Sequence, residues 1–157
     1  KGRWIESALA GMLLSNRAAG TIFAHHQAGA CTDVTGFGLL GHLVEMLKPS
    51  GLSAKLSMQA ISSLQGALSC LQSGIASSLQ PQNIRLQRAI SNPQHWLTSP
   101  KYQLLFDPQT SGGLLASVPQ ENVARCLASL KAAGYPQACV IGEVLTSGDA
   151  TELIELV

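Results

Sequence analysis

The amino-acid sequence predicts a single α+β or layered α/β/α domain. Candidate strands and helices follow one another in an irregular order that includes strand–loop–strand patterns, which disfavours a doubly wound parallel fold. The length of 157 residues is about that of one domain, and the hydrophobic fraction of 46% is enough to supply a core. We therefore expect residues 1–157 to form one folding unit.

Two helices are predicted at the beginning of the chain. Apolar residues recur at helical spacing from Ile5 to Leu13. A second helix is predicted to begin at Asn16, a common N-terminal cap, and to end at residues 27–29. His25 and His26 lie near its end, where an imidazolium suits the carbonyls of the last turn, so they are predicted to be surface residues and not metal ligands.

The most informative segment follows, at residues 30–43. Residues 30–34 have the pattern of a strand and the residues after Gly36 have helical spacing, so the turn is predicted at Thr35 and Gly36 and Asp33 at or just before a helix N-terminus. An acidic residue in that position can hold a metal. The alternative is that Asp33 or Thr35 only caps the free amides of the first helical turn.

The helix after Gly36 is apolar on most of its circumference, so we expect it to be largely buried, with His42 as a rim or core histidine. Residues 49–51 should end it, and Ala54, Leu56 and Met58 alternate as a strand.

The middle of the chain carries weaker signals. Residues 61–71 predict an amphipathic helix that Gly74 ends, and a further helix is predicted after Pro81. Residues 73–80 between them are polar and turn-like, and residues 92–100 predict a loop.

A second informative segment spans residues 104–115. Residues 102–106 and 114–118 are predicted strands, joined by a compact loop that contains Pro108 and two adjacent glycines. Such a loop can bring backbone amides close to an anion. The alternative is a rigid connection without a ligand.

The C-terminal region predicts one helix and two strands. The helix spans Glu121 to Ala132 and stops at Gly134. Strands are predicted at 140–144 and 153–157, with a turn at 147–149.

Composition excludes several functions. Charged residues make up 12% and the net charge is +1, so no nucleic-acid partner is expected. The apolar runs end well short of the roughly 20 residues of a membrane span, and the N-terminus lacks a signal-peptide pattern, so a cytoplasmic protein is expected. The four cysteines lack Cys-x-x-Cys spacing and are expected to be reduced and mostly buried, Cys31 among them as a small strand residue.

The two informative segments together resemble one enzyme family. Thr-Asp-Val-Thr-Gly-Phe-Gly-Leu-Leu-Gly-His at 32–42 and Asp-Pro-Gln-Thr-Ser-Gly-Gly-Leu-Leu at 107–115 are similar to the hallmark segments in the C-terminal half of selenophosphate synthetases. The resemblance runs from residues 12–19 to residues 140–144. Both strings are long, which argues against chance agreement.

The resemblance implies a fold and a domain organisation. The fold is the C-terminal domain shared with aminoimidazole ribonucleotide synthetase, a three-layer α/β/α sandwich with a mixed sheet. The chain begins at Lys1 without a methionine, and we expect it to be the C-terminal domain of a longer enzyme. In the family, the reactive cysteine or selenocysteine, the catalytic lysine and further metal-binding aspartates belong to the N-terminal domain, so no catalytic residue is expected here.

The resemblance also implies an activity and its ligands. The whole enzyme would use ATP, selenide and water to make selenophosphate, AMP and phosphate, with Mg2+ as cofactor. This chain would form one wall of the ATP site, against its own N-terminal domain, within a homodimer.

On the resemblance, Asp33 is the expected magnesium ligand near the ATP phosphates. A carboxylate oxygen suits magnesium, which neutralises the charge that develops during phosphoryl transfer. The residues expected to support Asp33 or to line the nucleotide site are Thr32, Thr35, Gly36, Gly38, Asp107, Thr110, Gly112 and Gly113.

One segment departs from the family pattern. A glycine-threonine and arginine-asparagine signature is common about where this chain has residues 77–85, and Asn83 and Arg85 are candidates for its remnant. A structural role is favoured for Asn83, as a helix cap or turn residue.

Two alternative functions stay open. The first is another enzyme of the same superfamily, such as aminoimidazole ribonucleotide synthetase or a hydrogenase maturation factor, although both motif strings argue against it. The second is a noncatalytic binding or dimerisation module.

Overall fold

The computed structural model of the chain describes residues 2–146 and 152–157. The helices in this part of the chain are α1 Gly2–Leu13, α2 Arg17–His25, α3 Gly38–Leu47, α4 Ala67–Gln72, α5 Gln80–Asn83, α6 Pro100–Leu104 and α7 Val123–Ala132. The strands are β1 Ala30–Asp33, β2 Leu52–Leu56, β3 Leu114–Ser117, β4 Gly142–Thr146 and β5 Ile154–Leu156. Short 3-10 turns cover Lys48–Ser50, Ile84–Ala89, Pro93–His95 and Gln120–Asn122.

The described strands form two sheets. β1 pairs antiparallel with β3, and a second sheet has the order β4-β2-β5. In that sheet β2 is antiparallel to β4 and parallel to β5, so the sheet is mixed. The α+β class and the mixed sheet are therefore confirmed.

The main core lies between α3, the mixed sheet and the segment around α6. Leu40, Leu43 and Leu47 fall on one face of α3 and are buried, which confirms the predicted buried helix. On β2, Ala54 and Leu56 alternate toward the same core. Burying one such leucine completely is worth about 1.5–3 kcal/mol relative to leaving it exposed, so this face supplies much of the stability. A smaller cluster joins α2 to α7 through Ala19, Cys126 and Leu130.

The prediction of a strand just before the second motif loop is wrong. Residues 102–106 were expected as a strand, but Pro100–Leu104 is helix α6. Pro100 occupies the first helical position, where its missing N–H costs nothing. Tyr102, Leu105 and Phe106 are all buried, at the three- and four-residue spacing of a helical face.

The other helices follow the predictions with shifted ends. The helix expected from residue 61 begins only at Ala67, because Gly66 has a left-handed φ of +88° and lies against the Trp4 ring. After Pro81 the helix is short and continues as a 3-10 turn. α7 begins two residues later than expected and is followed by Gly134, at a φ of +96°.

At the C-terminal end, β4 and β5 confirm both predicted strands, which lie on either side of β2. The turn predicted at 147–149 lies outside the described residues. None of the described helices has the length and apolar character needed to cross a bilayer.

The cysteines correct one prediction. All four are free thiols, as expected, but Cys31 and Cys139 are exposed, Cys70 is half-buried and only Cys126 is buried. Cys31 is exposed because burial alternates along β1 and its side chain points outward. The expectation that these thiols are mostly buried was therefore wrong.

Candidate functional site

The two glycine-rich segments lie side by side. β1 and β3 bring their ends together, and beyond the strand pair the Val34 N–H donates to the carbonyl oxygen of Gly113 at 2.9 Å. A second backbone hydrogen bond links the same two segments, from the Gln109 N–H to the carbonyl oxygen of Thr35 at 3.0 Å. Backbone hydrogen bonds therefore join the turn after β1 to the loop before β3.

Gly38 allows a still closer approach of the two segments. It has a left-handed φ of +69°, and a β-carbon there would lie 2.9 Å from the carbonyl oxygen of Leu105. The next contact is the carbonyl carbon of Phe106, also at 2.9 Å. Since backbone atoms cannot rotate away as a flexible side chain can, only glycine fits this position without strain. The Leu40 N–H then donates to Leu105 at 2.9 Å.

Gly112 and Gly113 differ in their surroundings. A β-carbon on Gly112 would run into the carbonyl oxygen of Val34, whereas nothing lies within 4 Å of a β-carbon on Gly113. The carbonyl oxygen of Gly112 also accepts a hydrogen bond of 2.9 Å from the Asn16 side chain. Gly112 is thus built into the packing and Gly113 borders open space.

Asp33 is the last residue of β1, opposite Leu114, and its side chain is exposed. Helix α3 begins only at Gly38, and no side chain caps it by a hydrogen bond. The expected placement of Asp33 beside a helix N-terminus is therefore wrong, and so is the capping alternative. A turn at residues 36–37 separates strand from helix.

The threonines of the first motif are half-buried and engaged locally. The Thr32 hydroxyl donates to the carbonyl oxygen of Asp33 at 3.2 Å. The Thr35 hydroxyl lies 3.2 Å from Nε2 of His42. His42 is buried, which confirms the predicted rim or core position, and its Nδ1 lies 3.2 Å from a Glu45 carboxylate oxygen. That contact is not aligned as a hydrogen bond, so we regard it as a close approach of the ring to a charge.

Asp107 is half-buried and borders a cavity of about 190 Å³ between the second motif and α4. The Gln109 side chain donates to its carboxylate at 2.8 Å. Burial raises the pKa of Asp107, and the hydrogen bond from Gln109 opposes that rise. Thr110, three residues after Asp107 in the loop before Gly112, is exposed.

Asn83 is a functional candidate that the sequence reasoning underrated. Its side chain is only 7% exposed, and its amide nitrogen donates to the carbonyl oxygens of Gly36 at 2.9 Å and Phe106 at 3.0 Å. It makes no helix-capping bond. The favoured structural role therefore takes a different form: Asn83 bridges two backbone segments, and its interpretation as a helix cap or turn residue is wrong. The one available signal was the family's arginine-asparagine signature near this position.

Within residues 2–146 and 152–157, no group of three or more His, Cys, Asp or Glu side chains is placed to hold a metal ion. In the same residues, no hydrogen bond or ion pair occupies the Asp33 carboxylate. Asp33 can therefore offer a hard oxygen ligand to a cation, but the described residues do not complete a coordination shell.

Comparison with known proteins identifies the family. Residues 7–154 match the family described as "AIR synthase related protein, C-terminal domain", so the chain belongs to that family. This agrees with the α+β fold and its mixed sheet.

Several relatives are named "Selenide, water dikinase". The relative from Clostridioides difficile is 33% identical over 138 residues, which cover 88% of this chain and 40% of the relative. The relative from Pelobacter propionicus is 34% identical over 140 residues, 89% of this chain and 40% of the relative. The relative from Myxococcus xanthus is 38% identical over 142 residues, 88% of this chain and 40% of the relative. The chain spans about 40% of the length of these curated relatives.

Proposed function

We propose that this chain is the C-terminal domain of a selenophosphate synthetase. The whole enzyme would convert selenide, ATP and water into selenophosphate, AMP and phosphate, and residues 1–157 would form one wall of its ATP site. The observation that carries this proposal is the pairing of the two motif segments, which leaves the Asp33 carboxylate exposed at their junction. The similarity to proteins named selenide, water dikinase supports it.

Asp33 is the residue we propose for magnesium. Its exposed carboxylate fits a hard cation, and the magnesium would neutralise charge on the ATP phosphates during phosphoryl transfer. Because the described residues supply no cluster of ligands, the remaining positions would be filled by phosphate oxygens, waters and the N-terminal domain. Thr32 and Thr35 would fix the backbone on either side of Asp33 through their local hydrogen bonds.

The glycines are proposed to divide into two roles. Gly36, Gly113 and Thr110 are exposed, so they can face the nucleotide, and the open space at Gly113 would let a phosphate approach the backbone closely. Gly38 and Gly112 contact the opposite segment and would set the shape of the wall. Asp107, held by Gln109, would support this loop from the side of the cavity.

The partner we propose is the N-terminal domain of the same enzyme, in a homodimer in the cytoplasm. Apolar side chains beside the site support a covering partner. Phe37, in the turn between Asp33 and α3, is 54% exposed, and α1 buries none of its residues although Ile5, Leu9 and Leu13 are large and apolar.

The test is a product assay on the full-length protein and on the 157-residue chain. With magnesium, ATP and selenide, the full-length protein should release AMP and phosphate and form selenophosphate, which phosphorus NMR detects. The isolated chain should fold cooperatively and release no AMP. Selenide-independent formation of ADP by the full-length protein would favour another enzyme of the superfamily, and AMP formation by the isolated chain would overturn the proposed division of the site.

A further inference from the structure

We propose that Asn83 is a positioning residue that fixes the separation of the two motif segments. This inference rests on the proposed function only for what the site binds. Its structural part, a side-chain bridge between the first and second motifs, depends on the fold alone.

The bridge consists of one amide group. Asn83 donates to Gly36, in the turn after β1, and to Phe106, the residue before the second motif loop. A carboxamide carries two N–H donors on one nitrogen, so each carbonyl receives one of them. A serine hydroxyl has one donor and an aspartate carboxylate has none, so neither can satisfy both carbonyls.

Asn83 comes from a third part of the chain. It lies 47 residues from Gly36 and 23 residues from Phe106 in sequence, so neither motif can supply this contact by itself. Gln80, on the same short helix α5, is also buried and donates to the carbonyl oxygen of Gln103 at 3.0 Å. α5 is therefore anchored on α6, and that anchor holds Asn83 in place.

The role is positioning because both amide hydrogens are engaged and the side chain is 7% exposed. Backbone hydrogen bonds also join the segments directly, such as those from Val34 to Gly113 and from Gln109 to Thr35. Asn83 adds a side-chain bridge to Gly36 and Phe106. Without the bridge, the buried carbonyl of Phe106 and the part-buried carbonyl of Gly36 lose this donor, and both groups are expected to move toward solvent. Small displacements of a binding wall cost affinity steeply, because the ligand contacts depend on the relative placement of both segments.

Asn122 provides a matched control. It is the same residue type with the same 7% exposure, and its amide nitrogen also has two acceptors, His26 and Gln27, at 3.2 Å each. It lies in the 3-10 turn just before α7, away from the motif segments. Asn122→Ala therefore removes a comparable bridge, together with the hydrogen bond that Arg125 donates to the Asn122 side-chain oxygen, without touching the site.

The experiment compares Asn83→Ala with Asn122→Ala in the full-length protein. Amide hydrogen exchange is followed in peptides that cover 33–42 and 105–113, and KM for ATP and kcat are measured. For Asn83→Ala we expect faster exchange in both peptides and a KM for ATP about 10-fold higher or more. Asn122→Ala should lose similar thermal stability and keep the wild-type KM, since a loss of folded enzyme lowers only the maximal rate.

Unchanged exchange in both peptides of Asn83→Ala, or the same rise in KM for Asn122→Ala, would overturn the inference. If Asn83→Ala does not yield folded protein, Asn83→Ser decides, because its single donor should leave one carbonyl unpaired and raise exchange in at least one peptide. A wild-type protein without selenide-dependent AMP formation would refute the proposed function, whereas the exchange result would still decide the role of Asn83.

Discussion

Gly112→Ala tests whether the packing between the two motif segments stabilises this domain. The added β-carbon would collide with the carbonyl oxygen of Val34, with Val34 carbon at 3.0 Å and Gln109 Cβ at 3.2 Å as the next contacts. The atom that blocks the new β-carbon belongs to the backbone, so the two segments must move apart to accommodate it. The movement would strain the hydrogen bond from Val34 to Gly113 and the one from Asn16 to Gly112.

The expected cost follows from these contacts. Forcing an extra carbon into a packed contact costs about 1–3 kcal/mol, and each strained hydrogen bond contributes about 0.5–1.5 kcal/mol. A loss of about 3 kcal/mol is a large share of the roughly 5–15 kcal/mol that stabilises a typical protein. For a chain of 157 residues it corresponds to a fall in melting temperature of about 6–12 °C.

The measurement is thermal and urea unfolding of the 157-residue chain, with Gly113→Ala as the matched control. Gly113 has no left-handed φ and nothing within 4 Å of its β-carbon position. Its alanine variant should therefore stay within about 0.5 kcal/mol of wild type. The reasoning is refuted if Gly112→Ala is as stable as wild type, or if both variants lose the same stability.

Three further predictions concern acidic residues and a thiol. Asp33→Asn should remove most selenophosphate formation by the full-length protein at nearly unchanged melting temperature. The control Glu121→Gln, which changes an exposed acid on the turn before α7, should leave activity unchanged. Wild-type activity in Asp33→Asn would refute the proposed metal role. Cys31 is exposed overall, but partial desolvation of its thiol and then the Asp33 carboxylate raise its pKa. Asp33→Asn should therefore speed alkylation of Cys31 at pH 8 and leave that of Cys139 unchanged, and an unchanged Cys31 rate would count against the charge effect. Burial raises the pKa of Asp107 above its ordinary 3.8. The ionised carboxylate therefore lowers the stability of the folded state at neutral pH, and this cost disappears as the pH falls below 3.8. Asp107→Asn should raise the melting temperature at pH 7 and give no gain at about pH 3, and an equal gain at both pH values would contradict the argument.

The elements with strong local patterns were predictable from the sequence. α3 has apolar residues on most of its surface, and this placed it correctly in the core together with His42. The segment around α6 was not predictable, because a short apolar run fits a strand or a buried helical turn equally well. Pro100 was the signal for a helix start, but the strand interpretation of Tyr102 to Phe106 overrode it.

The candidate site shows the same division between local and non-local information. The motif strings predict Asp33 and the glycines as site residues, but no local pattern distinguishes Gly112, which meets Val34, from Gly113, which meets open space. That difference is set by a strand pairing across about 80 residues of sequence. Asn83 was underrated for the same reason, since its partners Gly36 and Phe106 are distant in sequence.

The shape of the candidate site and its negative charge depend on separate parts of the chain. The separation of the segments is set by backbone contacts at Gly38 and Gly112 and by the buried amide of Asn83. The charge is supplied by Asp33, whose exposed side chain makes no part of that packing. In the proposed function, a wall fixed by these backbone contacts would need little ordering when ATP and magnesium bind, so binding energy would not be spent on assembling it. This separation explains why an exposed carboxylate can stand beside tightly packed glycines. For the same reason, Asp33→Asn should lower activity at nearly unchanged melting temperature, whereas Gly112→Ala should lower the stability of the domain.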